Sequence, residues 1–351
     1  MRNAVGAKVT IRDVADRAGV SAATVSRVMN KPDLVDSETK SRVRSVMESL
    51  NFQPNAIARG LSANQTNTIG LLVPAIQDFF FDELYSGIEM ETRAHGMKVL
   101  LYDAQHSRRR ALEGFTFLRQ HQVDGIIFTS QLVDEDYDAV LERLGIPVVL
   151  TLTEGLGRLP IPSYKTDEVK AMFDVVSYLI TRGHRRIGMI TGLSEEDATG
   201  HVRLEGYKNS LRHYGIPVRE SFIEHGDYRF DSGYAAMQRL LMCQADNRIT
   251  AVCAISDEMA IGAMHCLHDH GLGVPDDMSV IGFDDLRISR MVMPKLTTVA
   301  QPFVDIGSYA VRAILQMTKE PSLPKPAGVH YLPHHLVERA SVRTVAVDAT
   351  E

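Results

Sequence analysis

From Thr68 onward, short apolar runs alternate with segments of helical periodicity. The apolar runs of the first half are TIGLLVP, MKVLLYDA, DGIIFTS and IPVVLTL, and the pattern restarts with RRIGMITG, ITAVCAIS and MSVIGFD. Helices are predicted near residues 82–94, 108–120, 134–144, 168–181, 203–214 and 257–270. Strands that alternate with helices in this way form parallel sheets with helices on both faces. The repetition therefore predicts an α/β body of two doubly wound parallel-sheet lobes.

The body is expected to span residues 68–345, with a short tail at 346–351. We place lobe 1 at about residues 68–165 and 300–327, and lobe 2 at about residues 166–299 and 328–345. Ligands of α/β sheets bind outside the carboxyl ends of the strands. The cleft between two facing lobes is therefore the expected ligand site.

Residues 1–53 have the pattern of a small head made only of helices. Thr10 has the form of a helix N-cap with an acidic residue, Asp13, three positions on. A first helix is predicted to run from there to about Ala18, because Gly19 can end it in the left-handed conformation.

Ser21 can cap a second helix over residues 22–29, and a third helix is predicted at about residues 38–50. Val25 and Val28 would pack inward on the first helix. The outer face of the second helix then carries five small or polar residues, namely Ala22, Ala23, Ser26, Arg27 and Asn30. Helix, glycine turn and helix together predict a helix-turn-helix.

Charge is distributed unevenly along the chain. Residues 1–66 hold ten Lys and Arg against six Asp and Glu, whereas the remainder holds 28 against 38. A basic head on an acidic body is typical of a head that meets a polyanion. The first residues have no secretory signal and no later stretch has 18 uninterrupted apolar residues, so we expect a cytoplasmic protein that does not enter membranes. Three cysteines without a CxxC pair are expected to be buried thiols.

The runs TIRDVADRAGVSAATVSRVMN, NFQPNAIARGL and TIGLLVP resemble the lac repressor family (LacI/GalR) nearly residue for residue. GHRRIGMITG, SDEMAIGAM, VPDDMSVIGFDD and PKLTTVAQP continue the resemblance through the body, whose fold it identifies as periplasmic-binding-protein-like. It implies a DNA-binding transcription regulator, expected to be a repressor, whose second helix lies in the major groove of an inverted-repeat operator. Base contacts are implied at Ala22, Ala23 and Arg27, and phosphate contacts are implied at Thr10, Ser21, Ser26 and Asn30.

Residues 54–67 are expected to form a hinge. The run PNAIARGL is too short to be a stable isolated helix in water. The resemblance implies that it folds on DNA, pairs with the same segment of a second chain, and inserts Leu61 into the minor groove. Arg59 is a further implied DNA contact. A homodimer is therefore expected.

The resemblance also assigns residues at strand ends to an effector site in the cleft. Phe80 and Phe81 are implied on one lobe, and Tyr228 on the other. Polar contacts are implied at four further positions, which are Asp167, Arg203, Ser256 and Asp284. Aromatic faces with carboxylates and an arginine suit a sugar, although the same set could hold a purine. For Asp284 a helix-capping role is an alternative, and Arg203 is predicted to begin a helix.

No catalytic constellation, nucleotide-binding loop or zinc spacing stands out, so we expect no enzyme activity, no metal and no cofactor. His265, Cys266, His268 and His270 form the densest group of potential metal ligands, but they have no partner cluster. Two alternative functions are consistent with parts of this sequence pattern. One is a regulator controlled by a phosphorylated carrier protein, and the other is a sugar-binding protein of a transporter.

Overall fold

The computed structural model describes residues 9–30, 32–52, 66–129, 133–192, 198–242, 248–319, 323–324 and 326–346. The chain divides into two compact units at residues 66 and 67. Most of the expected hinge, including Arg59 and Leu61, lies outside the described residues, as do Cys243 and most of the tail.

The first unit is a three-helix head, with α1 at Ile11–Ala18, α2 at Ala22–Asn30 and α3 at Ser37–Ser49. Gly19 ends α1 with a left-handed φ of 66°. A small apolar core joins the three helices, and its buried members are Val14, Ala15, Ala18, Val25, Val28 and Val43. The predicted helix-turn-helix is confirmed.

The second unit contains the lobes, and the first of them has a parallel sheet in the order β11-β5-β4-β3-β1-β2. Its strands are β1 (Thr68–Val73), β2 (Lys98–Asp103), β3 (Gly125–Thr129), β4 (Val148–Thr151), β5 (Ser163–Thr166) and β11 (Val329–Leu332). Its helices are α4 (Phe81–Ala94), α5 (Arg108–Gln120), α6 (Glu135–Leu144) and α11 (Phe303–Lys319). Separate apolar cores lie on the two faces of this sheet. We call this part lobe 1.

The other lobe, lobe 2, has a parallel sheet in the order β7-β6-β8-β9. Its strands are β6 (Ile187–Gly192), β7 (Ile223–Gly226), β8 (Ala251–Ala254) and β9 (Ser279–Ile281). Its helices are α7 (Glu168–Thr181), α8 (Ala198–His213), α9 (Phe230–Met242) and α10 (Asp257–Asp269). An antiparallel pair, β10 (Thr298–Ala300) with β12 (His335–Val337), adjoins β9 through a bridge between Ile281 and Thr297.

Two sequence predictions need correction. The helix expected to start at Arg203 begins five residues earlier, at Ala198, because residues 198–202 continue the same helix toward the N-terminus. The boundary placed at residue 328 is also wrong, because Val329–Leu332 pairs in parallel with β5 and so belongs to lobe 1. The chain therefore passes between the lobes three times, at residues 166–168, 300–303 and 332–335.

Close backbone approach fixes the packing of α4 on α11 in lobe 1. A Cβ atom added to Gly87 would lie 2.0 Å from the carbonyl oxygen of Val304. Glycine is therefore required where these two helices cross. Among the described residues no helix is long and apolar enough to cross a membrane.

Candidate functional site

Hydroxyl side chains begin the first two helices of the head. Thr10 and Asp13 form a capping box, in which Asp13 Oδ2 accepts from the Thr10 amide at 2.7 Å. The hydrogen bonds from Thr10 lower the pKa of the Asp13 carboxyl. Ser21 Oγ accepts from the Thr24 amide at 3.1 Å and so caps α2. Two of the four residues with implied phosphate contacts, Thr10 and Ser21, thus lie at helix N-termini, where backbone N–H groups attract anions.

The exposed face of α2 carries the other predicted contact residues of the head. Ala23, Arg27 and Asn30 are exposed, whereas Ala22 and Ser26 are partly buried. Asn30 Nδ2 donates to Ser26 Oγ at 3.3 Å, one turn away. Arg27 makes no salt bridge with the residues described here, so its guanidinium is available to a ligand. Arginine can donate two hydrogen bonds to guanine O6 and N7.

In the cleft between the lobes, a buried arginine forms the centre of a charge network. Arg203 Nε and Nη2 donate to Glu168 Oε1 at 3.0 and 2.8 Å. Arg203 Nη1 donates to the Ile255 carbonyl oxygen and lies 3.9 Å from Asp284 Oδ1. The guanidinium also lies over the Phe283 ring, 4.0 Å from its centroid. Most of the hydrogen-bonding capacity of Arg203 is thus used within lobe 2.

Lys165 extends this network to lobe 1. Its Nζ lies 3.2 Å from Glu168 Oε2 and 3.7 Å from Glu154 Oε1. Lys165, Glu168 and Arg203 side chains are each only 5–6% exposed. Burial alone would lower the pKa of Arg203, but the charges of Glu168 and Asp284 outweigh it and the pKa is raised. Alternating charges therefore run from the segment that follows β4 in lobe 1 into the core of lobe 2.

Asp284 holds an unusual position at the edge of this network. Its φ of 112° is outside the normal range for a residue with a side chain. Burial raises its pKa to about 6, against the charge of Arg203 and a 2.8 Å hydrogen bond from Gln301 Nε2. The helix-capping alternative for Asp284 is wrong, because the next helical turn is Arg287–Arg290 and its cap residue is Leu286.

Two other predicted effector residues cap helices. Asp167 Oδ1 accepts from the Lys170 amide at 3.0 Å at the start of α7. Ser256 Oγ accepts from the Met259 amide at 3.2 Å and donates to the Tyr228 carbonyl at 3.0 Å. The latter bond fixes the backbone of Tyr228, which has a left-handed φ of 70°.

The aromatic residues divide between packing and exposure. Phe80 stacks on Phe303 with centroids 6.0 Å apart, and Phe81 stacks on Tyr85 at 5.5 Å. Phe79, the first of three consecutive phenylalanines, is half exposed and lines a cavity of about 290 Å³ between the lobes. The other residues that line it are Phe230, Glu258, Ile261, Ile288, Met291 and Val292.

Sequence reasoning missed Glu168, Lys165 and Asp257. Asp257 is fully buried, and its carboxylate accepts from Thr298 Oγ1 at 2.5 Å and from the Leu286 amide at 2.7 Å. Burial raises its pKa well above the ordinary value. All three are charged residues within three positions of the carboxyl end of a strand, and this is the sequence signal that they share.

Comparison with known proteins gives consistent matches to both units. The profile described as bacterial regulatory proteins, lacI family, matches residues 10–55, and that of a periplasmic binding protein-like domain matches residues 176–342. The chain is 39% identical over 336 residues to catabolite control protein A of Priestia megaterium, covering 95% of this chain and 99% of that one. It is 35% identical to the HTH-type transcriptional repressor CytR of Escherichia coli, covering 96% and 97% of the two chains.

Solved structures match over the same length. A lac repressor dimer bound to operator and the anti-inducer ONPF has a TM-score of 0.86 at 27% identity, covering 96% of this chain and all of that one. A complex of the transcriptional regulator CelR with cellobiose has a TM-score of 0.72 at 29% identity, covering 95% and 99%.

Proposed function

Because the chain belongs to the lacI family of bacterial regulatory proteins, we propose that α2 reads an operator and that a sugar in the cleft changes the affinity for it. The chain is a DNA-binding transcription regulator, and relatives that match over nearly its full length include a repressor. The findings favour neither the transporter protein nor the carrier-protein mechanism. Regulation by binding needs no catalytic group, and we assign none.

The observation that carries the DNA-binding part is the exposed face of α2. Arg27 extends from it without an ion pair among the described residues, and capped helix N-termini at Thr10 and Ser21 flank it. This arrangement suits base contact by Arg27 and phosphate contact at the two helix ends. Ala22 and Ala23 can offer only methyl contacts, so we expect weak readout of the bases that they face. A similar structure is a dimer on operator, and we propose a cytoplasmic homodimer on an inverted repeat.

The cleft supports the effector part. Arg203 of lobe 2 lies 3.9 Å from Asp284 and is joined through Glu168 to Lys165 of lobe 1, so its charge network spans both lobes. We propose that an effector contacts this network, with Phe80 from lobe 1 and Tyr228 from lobe 2 beside it. One similar structure holds cellobiose and another holds ribose, so we propose an uncharged sugar or sugar derivative as effector. Asp167 and Ser256 would contribute through the helix ends that they cap.

Two measurements test the proposal. Selection from random duplex DNA should return an inverted repeat of roughly 14 to 20 base pairs. Thermal unfolding against cellobiose, ribose and other neutral sugars should find one that stabilises the chain, by about 2.7 kcal/mol at 100 times its Kd. That sugar should then change the affinity for the selected DNA. A selection that returns no preferred DNA sequence would refute the DNA-binding part. A sugar that stabilises the chain without changing its DNA affinity would refute the coupling.

A further inference from the structure

An ion pair joins the two lobes beside the cleft. Asp78 follows β1 in lobe 1, and Arg229 lies between β7 and α9 in lobe 2. Arg229 Nη2 lies 3.3 Å from Asp78 Oδ1, although the two residues are 151 positions apart in sequence. The Asp78 side chain is 16% exposed and that of Arg229 is 44% exposed. We call the side of the cleft bounded by these two residues the cleft mouth.

Apolar contact accompanies the ion pair. Phe79 directly follows Asp78, Phe230 directly follows Arg229, and both rings line the cavity of about 290 Å³ described above. The Phe230 amide also donates to Glu258 Oε1 at 3.0 Å, which fixes the segment that carries Arg229. The position of Arg229 relative to Asp78 thus depends on how the two lobes meet.

A histidine approaches the same carboxylate oxygen from within lobe 1. His106 Nε2 lies 3.4 Å from Asp78 Oδ1, on the loop that follows β2. The charged groups facing His106 are Asp78, Arg229 and Asp103. The hydrogen bond to Asp78 raises the pKa of His106, whereas burial and the charge of Arg229 act to lower it.

We propose that the Asp78–Arg229 pair is a latch that holds the cleft mouth closed, and that His106 competes with Arg229 for the same oxygen of Asp78. The latch requires no effector, so it can be tested independently of the function proposed above. Movement of the lobes apart would break the pair, while His106 and Asp78, which share lobe 1, would stay together.

Proton binding to His106 is coupled to opening of the latch. In the closed arrangement Arg229 disfavours the imidazolium form of His106. Opening removes Arg229 and leaves Asp78, so the open form binds the proton more tightly. By linkage, protonation of His106 favours opening, and the latch is weaker below the pKa of His106 than above it.

NMR titration of the full-length chain carrying ¹³C-labelled histidine tests this, with the His106 signal assigned from the His106→Gln variant. In Arg229→Gln the pKa of His106 should rise, because the repelling charge is lost. The matched control is Arg239→Gln, since Arg239 pairs with Glu224 at 2.6 Å within lobe 2 at similar exposures of 47% and 21%. That control should leave the pKa of His106 unchanged. Equal His106 pKa values in wild type and Arg229→Gln would overturn the latch.

Small-angle X-ray scattering gives an independent readout of the lobe arrangement. Arg229→Gln and Asp78→Asn should increase the radius of gyration at pH 8, and wild type should expand as the pH falls below the pKa of His106. Arg239→Gln should match wild type throughout. Unchanged scattering in both latch variants, with circular dichroism showing native helix content, would overturn the proposal.

Discussion

The buried pair of Arg203 and Glu168 permits a quantitative prediction of stability. Arg203→Met keeps side-chain volume but removes the charge that faces Glu168, and both side chains are only 5% exposed. Removing one partner of a buried ion pair costs about 3–5 kcal/mol, because the remaining charge is left uncompensated. Lys165 still lies 3.2 Å from Glu168 in this variant. We therefore expect a loss near the lower end of that range, about 3 kcal/mol.

The double variant separates charge from packing. In Arg203→Met with Glu168→Gln neither buried charge remains at the pair, and Lys165 keeps Glu154 at 3.7 Å. The double variant should lose less than the sum of the two single losses, with a coupling of about 0.5–3 kcal/mol.

Urea unfolding monitored by circular dichroism is the suitable assay, because the chain has no tryptophan. Protein concentration must be fixed, since dimerisation changes apparent stability, and midpoints are compared at constant m. The control is Arg239→Met, whose partly exposed pair with Glu224 should contribute only about 0.2–1 kcal/mol. Equal losses for Arg203→Met and Arg239→Met would refute the reasoning, as would strict additivity in the double variant.

Three further predictions follow from the head, the cleft and the helix crossing. Arg27→Ala should weaken binding to the selected operator by about 1–3 kcal/mol in mobility-shift titrations, with Arg42→Ala on α3 as the control that stays near wild type. Asp284→Asn should flatten the pH dependence of the free energy of unfolding between about pH 4 and 6. The wild-type carboxyl has a pKa of about 6 in the fold against an ordinary 3.8, so it stabilises the fold at low pH and loses that contribution as the pH rises. An unchanged slope would contradict this. Gly87→Ala should lower the stability measured by thermal unfolding by about 1–3 kcal/mol, because the Val304 backbone blocks the added methyl. The control Gly155→Ala should be almost neutral, since the atom nearest to its added methyl is 3.7 Å away.

Local patterns were enough to predict the architecture of both units. The capping residues and glycine of the head act within a few positions of each other, so the bounds of α1 and α2 follow from the sequence to within a residue. Alternation in the body likewise predicted the two lobes. The membership of Val329–Leu332 could not be predicted, because its pairing with β5 joins segments more than 160 residues apart.

The residues of the cleft could be predicted from the sequence only in part. Resemblance singled out Arg203, but the carboxylate that holds it, Glu168, comes from another helix and has no local signal beyond its place two residues after β5. Asp167 and Ser256 illustrate a second limit, since a polar residue between a strand and a helix fits a cap and a ligand contact equally well. Only the hydrogen bonds that Asp167 and Ser256 accept from the Lys170 and Met259 amides reveal the capping role.

The three passages of the chain between the lobes have a consequence for synthesis on the ribosome. When Thr166 has been made, β5 is an open edge of the lobe 1 sheet, and its partner β11 is still more than 160 residues from completion. The helix α11, which supplies Phe303, Ile306 and Ile314 to one core of that sheet, likewise begins more than 130 residues after Thr166. At bacterial elongation rates this delay is about 10 to 30 s. An unpaired strand and an uncovered apolar face can recruit other nascent chains during that interval. From the order of strands in lobe 1 we therefore expect the newly made chain to need protection by chaperones until its last fifth has emerged.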